Sequence, residues 1–455
     1  MTHTTAEAIA RGPKSRLRER LLPRTLEHAR EIPYYRELWG ESAVHDGDGL
    51  ADLPVIGKAA PAGGAAAVRH PGLTPAVLLH SSGTTGAPFV RYRSQEEIAA
   101  FSELLQRLSD GARQRMGDDR PIVHFTTISK RHHGGVLNVV AVDRTVTLSL
   151  MNDKDLAKAV ALLGRPEFFP GLKDPVVQFS GSPDDLVILA HTLARSGLNE
   201  ALAPRTVTAV ADYLSELQRA YLADVFPTAR IVERYTMSEV AGGATRCPSC
   251  RLLHFDAHVR PEVVSLDSDR PVTEGVGRMV FTELYPFSQY QPLVRYDTGD
   301  LVEAVPGGGD SCEPGELSAG MVGRRALTPL VSHRGRTVPV FRPIPLREAL
   351  EASPAVARAP MYGGMRLYDV IPGSAPLCRP EFVPGAPDRL ELTVVTAFAP
   401  HLYPDHTEAV RAELASAVLA GCPELAELVR DGACELVLHL TADRRAAEPF
   451  AVRGY

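Results

Sequence analysis

Lysine is scarce in this chain, and the few lysines present are unevenly distributed. Of the 49 lysine and arginine residues only six are lysine, and none of them follows Lys173. Chemistry that requires a lysine amine from the C-terminal half is therefore excluded. Arginine is not an equivalent replacement, because its planar guanidinium is a different hydrogen-bond donor from a compact ammonium group.

Several classes of protein are excluded by what the composition lacks. No apolar run approaches the roughly 18 residues that a membrane-spanning helix requires, and six cysteines in 455 residues do not indicate a disulfide framework. The net charge is −6 without a block of basic residues, which argues against a nucleic-acid surface. The N-terminal Met1-Thr2-His3-Thr4-Thr5 lacks the order of a signal peptide, so we expect a cytoplasmic protein with reduced thiols.

The order of apolar runs and helical patterns predicts the fold class. Between residues 121 and 235 short strands alternate with helices, which is typical of α/β architecture with a parallel sheet. From 255 to 304 the pattern is strand-rich, and beyond residue 323 it indicates a small α+β unit. We predict a large N-terminal domain, 1–322, of packed parallel-type sheets with helices and a β-rich subdomain, followed by a small lid domain, 323–455.

The most informative segment follows the apolar run Ala76–Leu79. Ser81-Ser82-Gly83-Thr84-Thr85-Gly86, hereafter the phosphate loop, has four hydroxyl side chains and two glycines in six residues. Glycines let a backbone approach phosphate closely, and amides and hydroxyls donate hydrogen bonds to its oxygens. No Gly-Lys-Ser/Thr of a Walker loop follows. The alternative is a generic Ser/Thr/Gly turn.

Three further sequence segments add side chains that a nucleotide site needs. Tyr235-Thr236-Met237-Ser238-Glu239 ends an apolar strand, where a ring can stack on a purine and a carboxylate can hold Mg²⁺. In Asp297-Thr298-Gly299-Asp300 the last carboxylate can accept hydrogen bonds from ribose hydroxyls. Gly323-Arg324 lies at the predicted domain junction. The ordinary alternatives are a strand end with a core tyrosine for the first segment and an Asx turn closing a hairpin for the second.

The order and spacing of these segments resemble the adenylate-forming superfamily of acyl-CoA synthetases, adenylation domains and luciferases. Within it the chain is most similar to the phenylacetate–CoA ligase branch. The matching segments are Ser82–Gly86, Tyr235–Glu239 and Cys247–His258, and His28–Tyr35 also fits that branch. The resemblance is good over residues 25–325 and poor over the remainder.

The resemblance implies an enzyme that uses ATP and Mg²⁺ to convert an acid into an acyl-adenylate and release pyrophosphate. It implies that Ser81, Ser82, Gly83, Thr84, Thr85 and Gly86 hold the β- and γ-phosphates, that Tyr235 flanks adenine, and that Thr236 also belongs to the nucleotide site. Glu239 would bind Mg²⁺, Asp300 ribose, and Arg324 the nucleotide at the hinge. The predicted catalytic residues are Thr84, Glu239 and Arg324, which act by positioning and charge neutralisation.

A second set of residues predicts a metal site. Cys247-Pro248-Ser249-Cys250 is followed by His254 and His258 at four-residue steps, and thiolate and imidazole ligands at this spacing suit tetrahedral zinc. Some relatives complete such a site with a later cysteine pair, in whose place this chain has only Cys312. The predicted structural zinc ligands are Cys247, Cys250, His254 and Cys312. Two free thiols with surface histidines are the alternative.

Two departures from the family pattern lie in the C-terminal part. Arg325-Ala326-Leu327-Thr328 stands where relatives place an acidic hinge residue, and Arg453 is the nearest cation where they place a catalytic lysine. They put in doubt the domain rotation that relatives use between adenylation and thioester formation.

Three functions stay open. The first is an ATP-dependent ligase for a small aromatic carboxylic acid, with CoA, a carrier thiol or an amine as acceptor. The second is a diazotase-type enzyme of bacterial secondary metabolism that adenylates nitrite for reaction with an aryl amine. The third is a non-catalytic nucleotide-binding relative. A homodimer is left open.

Overall fold

The described residues of the N-terminal part include two α-helices, a β-hairpin and a longer α-helix. The structure is a computed structural model and describes residues 14–40, 47–58, 61–80, 89–116, 120–128, 144–306, 316–363, 366–367 and 370–450. Its first elements are α1 (Lys14–Arg30), α2 (Pro33–Trp39), β1 (Pro75–His80), β2 (Val90–Ser94) and α3 (Gln95–Met116). α3 begins after Ser94, whose hydroxyl accepts the N–H of Glu97 at 3.2 Å and thus caps the helix.

Strands and helices alternate over the next segment, which confirms the predicted α/β pattern. The strands are β3 (Ile122–Ile128), β4 (Arg144–Ser149), β5 (Val176–Gly181), β6 (Thr206–Ala209) and β7 (Arg230–Thr236). The helices are α4 (Asp153–Leu163), α5 (Pro183–Ser196), α6 (Leu198–Leu202) and α7 (Glu216–Val225). Every adjacent pair in the order β4-β3-β5-β6-β7 is parallel, so the carboxyl ends of these strands share one edge.

The strand-rich segment continues the same sheet instead of forming another one. Its strands are β8 (Gly243–Arg246), β9 (Leu253–Phe255), β10 (Val259–Val264), β11 (Gly275–Glu283), β12 (Tyr296–Val305) and β13 (Ser318–Arg324). They extend the sheet to eleven strands in the order β10-β11-β12-β13-β9-β8-β7-β6-β5-β3-β4. The pairing becomes antiparallel from β7 to β8 onward, and this brings β12 and β13 near the end of β7.

The C-terminal part has its own small sheet and apolar core. Its elements are β14 (Leu330–His333), β15 (Arg336–Pro339), α8 (Pro343–Ala352), β16 (Tyr362–Gly363), β17 (Arg366–Leu367), β18 (Cys378–Val383), β19 (Asp388–Val395), α9 (Pro404–Gly421), α10 (Pro423–Arg430) and β20 (Cys434–Thr441). β19 pairs antiparallel with β18 and parallel with β20, and Leu346, Leu392 and Leu414 are buried beside this sheet. The α+β pattern is therefore confirmed, whereas the boundary between 322 and 323 stays a prediction.

Contacts tie the C-terminal part to the parallel half of the large sheet. Met361 and Ile371 pack into the apolar core that contains Phe125 and Phe179. The hydroxyl of Tyr213 donates to Oε1 of Glu348 in α8 at 2.5 Å. None of the helices in the described ranges has the length and apolar character needed to cross a membrane.

Candidate functional site

Three of the predicted nucleotide-binding residues meet where β7, β12 and β13 come together. Tyr235 is fully buried near the end of β7, and its hydroxyl donates to Oδ2 of Asp300 at 2.8 Å. The other carboxylate oxygen of Asp300 lies 3.1 Å from Nε of Arg324. Asp300 and Arg324 are also cross-strand partners in the β12–β13 ladder. Asp300, with its predicted ribose role, and Arg324, with its predicted hinge role, thus form one group with Tyr235, joined by an ion pair and a hydrogen bond.

A local turn inside β12 directs the Asp300 carboxylate. Gly299 has a φ of +79°, a conformation that residues with a side chain rarely adopt. Its N–H donates to Oδ1 of Asp297 at 2.8 Å, and the N–H of Asp300 donates to Oγ1 of Thr298 at 3.1 Å. An Asx turn is therefore present, but it is formed by Asp297 and lies within strand β12, whereas the alternative considered above was a turn that closes a hairpin. The Asp300 carboxylate is left for Tyr235 and Arg324.

Burial alters the protonation of this group. Desolvation raises the pKa of Asp300 to about 6, and the charge of Arg324 opposes that shift. The pKa of Tyr235 is raised well above its ordinary value, first by burial and then by the charge of Asp300. At pH 7 Tyr235 is therefore a neutral donor and Asp300 is mainly a carboxylate. The adenine contact of Tyr235 and the place of Thr236 in the nucleotide site stay predictions.

Glu239 lies close to the group of Tyr235, Asp300 and Arg324. It pairs with Lys58, which no sequence motif marks as a site residue. Its Oε1 is 2.5 Å from Nζ of Lys58, and the two side chains are 8% and 39% exposed, respectively. The charge of Glu239 also contributes to the raised pKa of Asp300, so the two carboxylates belong to the same site. A nearly buried carboxylate whose cationic partner reaches solvent is suited to exchange that partner for Mg²⁺.

Lys58 is held at the site by backbone pairing far from it in sequence. The N–H of Ile56 donates to the carbonyl oxygen of Arg295 at 2.9 Å, and the N–H of Asp297 donates to that of Ile56 at 2.8 Å. Lys58 therefore follows a short bridge to the start of β12. Its sequence signal is weak, since it precedes an Ala/Gly/Pro-rich stretch, and only the scarcity of lysine singles it out.

The phosphate loop, Ser81 to Gly86, lies outside the described residues. The predicted catalytic residue Thr84 belongs to this loop. The strands on either side are described, and they form the antiparallel hairpin of β1 and β2, with His80 opposite Val90. The apolar strand predicted to lead into the loop is therefore confirmed. Arg453 also lies outside the described residues.

A buried ion network fixes the strand that leaves the phosphate loop. Glu283 accepts hydrogen bonds from both Arg91 and Arg93 of β2, with 2.8 Å between its Oε1 and Nη2 of Arg93. The same Oε1 accepts the N–H of Ala241 at 2.9 Å, two residues after Glu239. Burial raises the pKa of Glu283, but the two arginines and these hydrogen bonds outweigh it and lower the value to about 2. One carboxylate therefore links β2 to the segment that carries Glu239.

Three of the four predicted zinc ligands lie together. The candidate ligand atoms of Cys247, Cys250 and His254 are within 4.8 Å of one another, and Cys250 Sγ is 3.2 Å from His254 Nε2. This donor set suits zinc. The fourth predicted ligand, Cys312, lies outside the described residues. His258, the other histidine considered, is buried against Phe101 and Phe287 and is not part of this group.

Comparison with known proteins identifies the relatives of the chain. It is 27% identical over 303 residues to a phenylacetate-coenzyme A ligase of Pseudomonas putida, a match covering 62% of this chain and 65% of that ligase. It is 28% identical over 322 residues to a phenylacetate-coenzyme A ligase of Thermus thermophilus, covering 65% and 66%, respectively. The chain thus matches slightly less than two thirds of the length of these relatives. No family model matches it.

Among solved structures the fold is similar to that of a 2-hydroxyisobutyryl-CoA ligase in complex with 2-HIB-AMP. The TM-score is 0.60 at 17% identity, and the superposition covers 97% of this chain and 89% of the ligase. The structural likeness extends over the C-terminal part, for which the sequence resemblance is poor. The chain is thus a sequence homologue of phenylacetate–CoA ligases, and its fold is similar to that of the 2-hydroxyisobutyryl-CoA ligase.

Proposed function

We propose that this chain is an ATP-dependent ligase that converts a small carboxylic acid into an acyl-adenylate and releases pyrophosphate. The observation that supports it most is the meeting of Tyr235, Asp300 and Arg324 beside the Glu239–Lys58 pair. An acceptor carboxylate, a fixed arginine and an exchangeable carboxylate–lysine pair are the groups that recognise ribose, phosphate and Mg²⁺. The homology to phenylacetate–CoA ligases further supports an aromatic acid as substrate and CoA as acceptor.

In the proposed reaction an oxygen of the substrate carboxylate attacks the α-phosphorus of ATP. A carboxyl O–P bond forms, and the bond from the α-phosphorus to the bridging oxygen of pyrophosphate breaks. Asp300 orients the ribose, while Lys58 and Arg324 offset negative charge on the phosphates. Glu239 would hold Mg²⁺, which when bound neutralises phosphate charge. The phosphate loop would hold the β- and γ-phosphates.

The experiment that tests this function is an assay of pyrophosphate release with Mg-ATP. A panel of aryl and alkyl acids is supplied with and without CoA, and nitrite with an aryl amine is supplied in parallel. Release with one acid supports the proposal, and appearance of a thioester extends it to CoA transfer. Release with nitrite alone favours the diazotase-type alternative. ATP binding without release in any arm contradicts enzymatic function.

Replacing Lys58 by alanine should lower the rate of adenylate formation about 10- to 100-fold, because a positive charge close to the phosphates is lost. The fold should be kept, since Lys58 is 39% exposed and the space that its side chain leaves opens the Glu239 carboxylate to water. The measurement is single-turnover pyrophosphate release with saturating acid. Lys154→Ala, on the exposed side of α4, is the matched control and should retain the wild-type rate. Equal rates in both variants would remove Lys58 from the mechanism.

We also propose that Cys247, Cys250, His254 and Cys312 hold a structural zinc ion, which when bound would cross-link the segments that supply them. Purified protein should contain about one zinc per chain by atomic absorption, as four ligands close one tetrahedral shell. Cys250→Ser should lose the metal and lower the melting temperature. Cys434→Ser, which changes a buried cysteine of β20, should keep it. Metal-free wild-type protein with an unchanged melting temperature would refute the site.

A further inference from the structure

Tyr296, the first residue of β12, has a hydroxyl without a hydrogen-bond partner among the described residues. The residue is fully buried, and its Oη bonds to no atom of the residues that the structure describes. Bulk water does not reach it either, because the side chain has no exposed surface. A buried hydroxyl left unpaired is costly, and most such groups in folded proteins have a partner. A group of this kind beside a ligand site points to the ligand as its partner.

An aromatic ring and four charged side chains lie around this hydroxyl. The ring of Phe89, directly before β2 on the far side of the phosphate loop, has its centroid 6.3 Å from that of Tyr296. Four charged groups act on the phenol, namely Glu239 and Asp297, which raise its pKa, and Arg91 and Arg324, which lower it. Burial is the largest cause and keeps the pKa of Tyr296 well above its ordinary value. The hydroxyl is therefore a neutral donor among the predicted magnesium carboxylate and two arginines.

The backbone before Tyr296 is held in an unfavourable conformation. Arg295 has a φ of +51°, in the left-handed region that residues other than glycine rarely adopt. Its guanidinium is fully buried and donates to the carbonyl oxygens of Asp269 at 2.7 Å and Ala51 at 3.1 Å, and it pairs with Glu262 at 3.3 Å. These contacts stabilise a strained residue whose conformation sets the direction of the tyrosine that follows. Backbone strain maintained in this way is concentrated at functional sites.

We propose that Tyr296 is a nucleotide-contacting residue whose hydroxyl donates a hydrogen bond to a phosphate oxygen of bound ATP and of the adenylate. This inference rests on the proposed function. A phosphate oxygen fits better than ribose or adenine because the positive charges of Arg91 and Arg324 act on the hydroxyl, and because the ring of Phe89 lies 6.3 Å from that of Tyr296. The contact would satisfy the unpaired hydroxyl and would add a neutral donor to the charges of Lys58 and Arg324.

The test uses two matched tyrosine-to-phenylalanine variants of the full-length protein. Tyr296→Phe removes the unpaired hydroxyl, so its melting temperature should equal or exceed that of wild type. Its kcat/KM for ATP in pyrophosphate release, and its affinity for Mg-ATP by calorimetry, should fall about 10- to 100-fold. Tyr35→Phe is the control, since the equally buried hydroxyl of Tyr35 donates to Pro292 O and accepts from Val294 N, both at 2.9 Å. It should melt at a lower temperature than wild type and keep its ATP affinity.

Each result supports or overturns the proposal. A stable Tyr296→Phe variant with weakened ATP binding supports it. If Tyr296→Phe melts at a lower temperature than wild type, as Tyr35→Phe should, the hydroxyl of Tyr296 is bonded within the protein and the proposal is overturned. An unchanged ATP affinity of Tyr296→Phe overturns it as well. If Asp300→Asn loses ATP binding and Tyr296→Phe does not, only the role of the tyrosine fails. Wild-type protein that binds no Mg-ATP overturns the proposed function and this inference together.

Discussion

Glu239→Gln should abolish Mg²⁺-dependent pyrophosphate release while the protein stays folded. Glutamine keeps the shape of the side chain but loses the charge that a hard divalent cation requires. We expect a loss on the order of 10²- to 10³-fold in kcat, similar to the removal of other groups that stabilise charge in a transition state. Raising the Mg²⁺ concentration should restore part of the activity, because the metal site is weakened and not blocked.

Stability should change little in Glu239→Gln, because the partner that it loses, Lys58, is 39% exposed and can be hydrated. Glu103→Gln is the matched control, since Glu103 pairs with Arg107 at 2.8 Å on α3, away from the site. It should keep the wild-type activity and Mg²⁺ dependence. The assignment of Glu239 to Mg²⁺ is wrong if Glu239→Gln retains wild-type turnover at low Mg²⁺ concentration.

Asp300→Asn should lower the affinity for ATP about 100-fold, because each lost hydrogen bond to a charged group contributes about 1.5–3 kcal/mol. The asparagine has the size of the aspartate, yet it cannot pair ionically with Arg324 and offers one acceptor oxygen in place of two. Calorimetric titration with ATP measures the change. Circular dichroism of the variant establishes that the fold is retained, which matters because Asp300 is 1% exposed and its partner Tyr235 is fully buried.

The same carboxylate predicts a pH dependence of ATP binding. Burial raises the pKa of Asp300 to about 6, so it is mainly ionised at pH 7 and becomes protonated as the pH falls below 6. Protonation removes the charge and one acceptor oxygen. The affinity of the wild type should therefore fall between pH 7 and pH 5, a range in which an ordinary aspartate stays ionised.

This pH response should disappear in Asp300→Asn and persist in Asp256→Asn. Asp256 is a matched control, because it too pairs with an arginine, Arg234, at 2.6 Å. Burial raises its pKa, but Arg234 outweighs that effect and holds the pKa far below that of Asp300. An identical pH profile in wild type and Asp300→Asn would assign the response to a different group.

Local sequence patterns predicted the elements of the fold well. Alternating short strands and helices predict the parallel strands from β3 to β7. The spacing of Cys247, Cys250 and His254 likewise predicts that their ligand atoms can converge, since one turn joins the two cysteines and His254 follows in the next strand, β9. Caps, turns and side-chain periodicity depend on neighbours within a few residues, so the sequence displays them directly.

The sequence by itself determined the α/β class, the order of the elements, the resemblance to phenylacetate–CoA ligases and most of the chemical groups of the candidate site. Only the tertiary structure decided which groups meet, such as Asp300 with Arg324 through the β12–β13 register and Lys58 with Glu239 through the bridge at Ile56. It also decided that the hydroxyl of Tyr296 is buried and meets no hydrogen-bond partner in the part of the chain that the structure describes. The physical reason is that strand register and burial are set by packing between distant segments, which leaves no periodic trace in the local sequence.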